Sequence, residues 1–300
     1  MNTSLLLRLV RIQFVPVIVM PVLLGAATAW FLERAFQPFY LLVVLAGATC
    51  LHVASNAIDD VFDFSNGVDS VSDKMFPRSA PGWKPIPRGL VSPGEGYAVA
   101  TVFYFLSVAA GVYLSLVVGW PALAIAVPGI VLSWTYTAPP FKLGYRGLGL
   151  GEISVLLSFG PIPALGTYYV TTGHLSLVPV LASLPTGLLT ACVLISHDLI
   201  FYDPYRISGK VSLAVRLGRR STERFLSVAA IAAYAMVLGL AAARLLPATS
   251  LLVLLALPLS LALLDFRGRE RSPPEYGRRT SRVFLQSVVF TGLLALGLVL

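Results

Sequence analysis

Nine long apolar runs divide this chain of 300 residues, and they leave little choice of fold. They lie at about 10–32, 38–58, 97–118, 120–137, 152–170, 175–197, 225–244, 248–265 and 282–300. Each is close to the length of about 17 to 25 residues that a helix needs to cross roughly 30 Å of hydrocarbon. The runs are continuously apolar rather than apolar on alternate residues, and they contain Gly and Pro, so membrane helices are predicted and the strands of a transmembrane barrel are not. The expected fold is an all-α polytopic membrane protein, with nine transmembrane helices in a single bundle and one domain over 1–300. A hydrophobic content of 57% against 12% charged residues excludes a pair of soluble domains. The first run continues to about Leu32 without the small-residue cleavage site of a signal peptide, so it is predicted to be the first span. Cys50 and Cys192 both fall inside apolar runs and read as small core residues, not as a disulfide or a metal site.

The charges sort by side. Counting nine crossings puts 20 of the 22 basic residues at the N-terminus and in the four loops that share its side, leaving only Arg34 and Arg244 opposite. Lys74, Arg78, Lys84, Arg88, Lys142, Arg146, Arg206 and Lys210 are among those on the crowded side. The positive-inside rule makes that side cytoplasmic, which predicts the N-terminus inside and the C-terminus outside. A nucleic-acid binder needs a basic solvated face, whereas these residues punctuate apolar segments, so the net charge of +8 does not point to nucleic acid. Arg219, Arg220, Arg224 and the basic residues from Arg267 to Arg282 read as topology determinants or contacts to anionic headgroups.

Thirteen of the 14 acidic residues fall on the same side, and two groups among them stand out, four helices apart. Asp59, Asp60, Asp63, Asp69 and Asp73 follow the second run, opening a predicted loop at about 59–96. Asp198 and Asp203 follow the sixth, in a loop at about 197–224. The chain thus reads as a four-helix pseudo-repeat with a ninth helix added. Asp59 and Asp63 are four apart, so both carboxylates project from one helical face, where they repel each other. Like charges clustered at a membrane helix end are costly, and charges within the hydrocarbon cost at least a few kcal/mol, so a divalent cation is their natural partner. Oxygen-only ligands favour Mg²⁺, which retains waters and bridges carboxylates to phosphate oxygens. The implied ligand is a diphosphate. Lys84, Arg88, Lys142, Arg146 and Lys210 lie on the same side as candidate clamps for its oxygens. Any one of these aspartates taken alone reads as an ordinary solvated helix end. His197, beside Asp198, is the one histidine kept as a candidate; His52 reads as a buried hydrogen-bonding residue and His174 as a loop residue on the far side.

From Asn56 to Gly218 the residues resemble the UbiA superfamily of intramembrane aromatic prenyltransferases. Asp59-Asp-Val-Phe-Asp-Phe-Ser-Asn-Gly-Val-Asp69 is similar to that family's N-D-x-x-D-x-x-x-G-x-D element, with Asp59 in the Asn position. Lys84-Pro-Ile-Pro-Arg-Gly-Leu-Val-Ser resembles R-P-L-P-x-G-x-[IV]-[ST], and Tyr136-Thr-Ala-Pro-Pro-Phe-Lys142-Leu-Gly-Tyr-Arg-Gly-Leu-Gly resembles Y-T-x-x-P-x-x-L-x-Y-x-G-L-G. The stretch from Phe159 to Gly173 looks like the branch that prenylates dihydroxynaphthoate for menaquinone. The second acidic element departs from the family's D-x-x-x-D-x-x-x-G-K-x-[ST]-L. Anchored on Gly209-Lys-Val-Ser-Leu, it has Phe201 and Tyr205 where the aspartates belong. Asp198 and Asp203 are five apart, about 140° around an ideal helix; Pro204 disfavours the α conformation at Asp203 and so allows a local rearrangement.

The resemblance implies Mg²⁺-dependent transfer of a prenyl chain from an isoprenyl diphosphate to an aromatic acceptor, with the lipid bilayer as surroundings and no protein partner implied. Asp59, Asp63, Asp198 and Asp203 would hold metal, and Lys84, Arg88, Lys142, Arg146 and Lys210 would bind diphosphate. Asp60, Asp63, Asp69, Lys142 and Tyr136 would act in catalysis, Tyr136 by facing an allylic cation with its ring. The alternatives are geranylgeranyl transfer to a glycerol-ether phosphate, as in archaeal lipid synthesis, and a secondary transporter, whose charges would sit nearer the bilayer midplane.

Overall fold

The computed structural model describes residues 2–76, 83–261 and 263–300; Arg78 lies outside the described residues. Among these, every regular element is helical, apart from an isolated bridge between Arg146 and Val211. A short helix α1 (Thr3–Leu9) and a 3₁₀ turn (Ile12–Phe14) lead into α2 (Pro16–Glu33). Then come α3 (Pro38–Ser65), α4 (Val68–Met75), α5 (Pro93–Val118), α6 (Pro121–Thr135), α7 (Leu150–Ser158) and α8 (Pro161–Thr172). The remainder is α9 (Val178–Ile200), α10 (Tyr202–Ser208), α11 (Leu213–Leu217), α12 (Arg219–Ala242), a 3₁₀ stretch (Ala248–Ala256) running into α13 (Leu257–Leu261), and α14 (Pro273–Val299). Among the described residues, seven segments are long and apolar enough to cross a bilayer: Ile12–Glu33, Pro38–Ser65, Pro93–Val118, Leu150–Thr172, Val178–Ile200, Arg219–Ala242 and Pro273–Val299. The protein is an integral membrane protein.

Two of the nine predicted spans are shorter apolar helices. The fourth is the 15-residue α6, about 22 Å long at the α-helical rise. The eighth winds as a 3₁₀ helix over nine residues before the five of α13. Its looser rise stretches those 14 residues to about 25 Å. Pro258, without an N–H, sits where the winding changes. The fifth span is broken between α7 and α8, where Gly160 leaves helical geometry (φ −141°, ψ −97°) ahead of Pro161.

Bundle packing explains several residue choices. Among the described residues, seven helices begin with Pro in their first turn, where the missing N–H costs nothing. Ser92 and Glu95 cap α5 reciprocally, at 2.8 Å and 3.2 Å. Where α2, α9, α12 and α14 meet, Leu24, Leu189, Tyr234, Phe290 and Leu294 form the largest core cluster. A Cβ on Gly187 would stand 2.2 Å from the Leu156 carbonyl, so only glycine lets α9 and α7 approach this closely. On α5, by contrast, Phe105 and Leu116 are exposed, the expected state of side chains that meet lipid.

Away from the cavity described below, Glu223 of α12 is fully buried between Arg271 and Arg279, and Arg271 also pairs with Asp265 at 2.6 Å. Glu223→Ala leaves Arg279 buried without its carboxylate, a loss of about 3–5 kcal/mol. Thermal unfolding in detergent should show that loss, with Glu223→Gln intermediate; an unchanged melting temperature would mean the cluster contributes nothing to stability.

Candidate active site

The first acidic group is helical. α3 extends to Ser65, past the predicted end at about 58, so Asp59, Asp60 and Asp63 sit on its last two turns instead of in a loop. Gly67, with φ +79°, then turns the chain into α4, which carries Asp69 in its first turn. α10 follows α9 as α4 follows α3, and these two short helices touch, which closes one end of the bundle. The order of elements therefore repeats as the pseudo-repeat predicts.

Three cations from distant parts of the chain converge on the acidic turn. Arg11, held in left-handed backbone geometry (φ 49°) between α1 and the first 3₁₀ turn, reaches Asp59 Oδ2 at 3.1 Å and also bonds Asp60. Lys84 Nζ lies 3.0 Å from Asp60 Oδ1, 2.9 Å from Asp69 Oδ1 and 3.4 Å from Asp63 Oδ2. Lys210 Nζ lies 3.1 Å from both oxygens of Asp63, which also accepts a bond from the Tyr145 hydroxyl. Lys142 Nζ donates to Asn66 Oδ1 at 2.6 Å, and Asn66 Nδ2 donates to the Tyr145 oxygen at 3.3 Å. Asn56 ties the N-terminal segment to α3 through the Val10 carbonyl, at 3.1 Å.

The centre of this cluster is withdrawn from water, while Arg11, Asp59 and Lys84 keep partial exposure. Asp60, Asp63, Asp69 and Lys210 are each less than 5% exposed. Burial would lower the Lys84 and Lys210 amines, but the carboxylates around them overcome it: Asp60, Asp69 and Asp63 hold Lys84, and Asp63 and Asp59 hold Lys210, well above the ordinary lysine range. Burial, helped by Asp63 and Asp60 and opposed by Lys84, pushes Asp69 up to about 7. Asp59 Oδ1 and Asp69 Oδ2 are buried without a hydrogen-bond partner.

A cavity of about 300 Å³ leads away from this cluster. Its α3 wall is formed by Val43, Gly47, Leu51, Ser55, Asp59 and Asp63 together with adjacent residues, at helical three- and four-residue spacing. That stripe is about 30 Å long at 1.5 Å per residue. The α6 wall runs from Ala122 through Gly129 to Tyr136. Tyr136 is placed by small neighbours, since a Cβ on Gly144 would come within 2.8 Å of its ring. At the charged end Arg11, Lys84, Lys210, His197, Asp198 and Tyr205 also line the cavity. One end is charged, and the rest is mostly apolar with scattered hydroxyls.

The structure thus gathers Asp59, Asp60, Asp63, Asp69, Lys84, Lys210 and Tyr136 in or beside one cavity, with Asp198 on its wall and Lys142 one residue removed, on Asn66. Other predicted residues lie elsewhere. Arg88 pairs with Asp73 at 2.7 Å and stacks on Trp83. Arg146 is exposed and bonds the carbonyls of Phe141 and Pro140, bracing its own loop. Asp203 pairs with Arg219 at 2.6 Å and is not among the residues lining the cavity. Among the described residues no three His, Cys, Asp or Glu side chains converge as a ligand set, because Arg11, Lys84 and Lys210 stand between the carboxylates. Arg11 and Tyr145 were missed from sequence. Arg11 is 48 positions from Asp59, so no local spacing links them; Tyr145 had a signal, its place in the family-like element that begins at Tyr136.

Comparison with known proteins agrees with this geometry. The family model described as the UbiA prenyltransferase family matches residues 18–297. UbiA prenyltransferase domain-containing protein 1 of Danio rerio is 30% identical over 206 residues, which are 66% of this chain but only 56% of that relative, so the match spans little more than half of its length. A 2-carboxy-1,4-naphthoquinone phytyltransferase of Synechocystis is 26% identical over 93% of this chain and 87% of its own. A 1,4-dihydroxy-2-naphthoate octaprenyltransferase of Mycobacterium tuberculosis is 29% identical over 76% of each chain. Among solved structures, a UbiA homologue from Archaeoglobus fulgidus with DMAPP and Mg²⁺ bound superposes with a TM-score of 0.62 at 14% identity, covering 96% of this chain and 99% of its own. A digeranylgeranylglyceryl phosphate synthase superposes with a TM-score of 0.65 at 14% identity, over 99% and 98% of the two chains. With the family model running through nearly the whole bundle and its charged cavity, this chain is a membrane-embedded member of the UbiA prenyltransferase family.

Proposed function

We propose that this enzyme moves the prenyl chain of an isoprenyl diphosphate onto an aromatic ring, with 1,4-dihydroxy-2-naphthoate or a close relative as acceptor. The observation that carries the proposal is the cavity itself, whose α3 wall runs for about 30 Å from apolar residues to carboxylates interleaved with cations. The acceptor assignment is supported by the naphthalene-ring substrates in the names of the bacterial relatives. The whole chain acts as one unit. The crowding of basic residues at the charged end supports a cytoplasmic active site, with the N-terminus inside and the C-terminus outside.

Asp59 and Asp63 suit Mg²⁺. The buried Asp59 Oδ1 lacks a partner, both residues line the cavity, and the donors are oxygens only. Bound there, the ion would offset charge building on the departing diphosphate. The protein supplies the rest. Lys84, Lys210 and Arg11 form a fixed cationic rim, and fixed charges at low dielectric stabilise a leaving diphosphate without reorganising. Asp60 and Asp69 hold the Lys84 ammonium at that rim. α4 and α10 cover the charged end, keeping water from the allylic carbon until the ring attacks. The Tyr136 ring borders the same space and favours positive charge there. The acceptor ring forms the new C–C bond, and the ring proton then lost has the carboxylates of the cavity nearby.

The test is product mass spectrometry with purified protein in nanodiscs, offered prenyl diphosphates with either dihydroxynaphthoate or a prenylglyceryl phosphate. Prenylated naphthoate that disappears with EDTA and returns with Mg²⁺ is the expected result. Transfer only to the glycerol ether, or activity surviving EDTA, would overturn the acceptor or the metal assignment respectively.

A further inference from the structure

Asp198 and Asp203 do not form a second carboxylate pair facing Asp59 and Asp63. Of Asp198 and Asp203 only Asp198 lines the cavity; Asp203 is 47% exposed and pairs with Arg219, whose guanidinium also stacks on Tyr202 at 4.5 Å. The break between α9 and α10 at Phe201 separates the two residues onto different helices. Phe201 and Tyr205, at the positions where the resemblance places aspartates, are both aromatic. Phe201 packs edge-on against Phe76 at 5.5 Å, and Tyr205 lines the cavity.

The side chain beside Asp63 in that space is itself a cation. Gly209, at φ 80°, ends α10 and turns the chain back so that the Lys210 amide bonds the Tyr205 carbonyl at 3.0 Å. The Lys210 ammonium is then 3.1 Å from both Asp63 oxygens and 4.7 Å from the ring centroids of Tyr145 and Tyr205. Two ring faces suit a compact ammonium. They offer no oxygen face to a hydrated divalent ion, which keeps several waters of its own. We propose that the Lys210 ammonium does the work of a second divalent cation, so that a diphosphate is held here by one metal ion, on the Asp59 and Asp63 side, and by one cation built into the chain. This rests on the prenyl-diphosphate reading of the same cavity. A tethered charge of +1 replaces a loaded charge of +2, so binding depends on the first power of metal concentration.

The experiment is equilibrium dialysis of the full-length protein in nanodiscs against Mn²⁺ and radiolabelled inorganic pyrophosphate, counting both on the protein. One Mn²⁺ per bound pyrophosphate is expected. Lys210→Met should weaken pyrophosphate binding at least ~10-fold while each bound pyrophosphate still carries one Mn²⁺, as expected for loss of a buried charge-assisted contact. Lys210→Arg, which keeps the charge, should bind within a few-fold of wild type, separating lost charge from lost folding. Two Mn²⁺ per pyrophosphate on the wild type, or unchanged affinity in Lys210→Met, would overturn the single-ion proposal and leave the prenyl-diphosphate reading intact. A wild-type protein that retains neither Mn²⁺ nor pyrophosphate would overturn both.

Discussion

Asp63→Ala is expected to lower prenyl transfer by at least ~100-fold, the scale seen when a preorganised electrostatic group is removed from an active site. Asp63 accepts from Lys210 with both oxygens at 3.1 Å, faces Lys84 at 3.4 Å and takes the Tyr145 hydroxyl. Alanine leaves the buried Lys210 ammonium without its carboxylate, which costs about 3–5 kcal/mol of stability. Loss of folding and loss of chemistry would therefore coincide in this variant. Asp63→Asn separates them. The amide keeps the shape and an acceptor for Tyr145 but removes the charge, so stability should fall less than in alanine while transfer falls by a similar factor. Product mass spectrometry and thermal unfolding on both variants check this. An Asn variant as active as wild type would remove Asp63 from the reaction.

Gly129→Phe is expected to shorten the donors the enzyme accepts. Gly129 lies halfway along the α6 wall, seven residues from Tyr136 and seven from Ala122. Those spans are about 10 Å each at the helical rise. Three bonds of an extended chain cover about 3.3–3.6 Å, so a four-bond isoprene unit covers about 4.5–5 Å. The wild-type wall therefore accompanies about four units beyond Tyr136, and a blocked one about two. A Cβ at Gly129 meets only ordinary contacts, Ile162 at 3.5 Å and Leu51 at 3.7 Å, so the new ring projects into the cavity without displacing backbone. Overpacking strain near 3 kcal/mol corresponds to a fall of ~100-fold with geranylgeranyl diphosphate, while dimethylallyl transfer is retained. Equal loss on both donors, or on neither, would mean that the tail lies elsewhere.

Much of the fold was legible because its signals are local. Apolar runs report helices without reference to any neighbour, and the four-residue spacing of Asp59 and Asp63 already put both on one face. Departures occurred where local chemistry competes with length. Gly160 and Pro161 break the fifth span, Pro258 marks a change of winding in the eighth, and α3 carries its helix on to Ser65 through residues too polar to count as apolar. Two of the five predicted diphosphate cations were placed by type alone and have other partners. Arg88 balances Asp73, and Arg146 satisfies carbonyls of its own loop, neither of which composition can distinguish from a clamp. Asp203 was likewise a carboxylate near the right position that a helix break turns away.

The amino-acid sequence by itself determined a helical membrane protein with its charges gathered toward one end. Hydrocarbon forces each apolar run to satisfy its own backbone hydrogen bonds, and that requirement is met within a run. Which cation meets which carboxylate was decided only by tertiary packing. Arg11 and Asp59 are 48 positions apart, and Lys210 and Asp63 are 147 apart. An ion pair depends on distances of a few ångströms, and those distances are set by how α3, α9 and the N-terminal segment lie against one another.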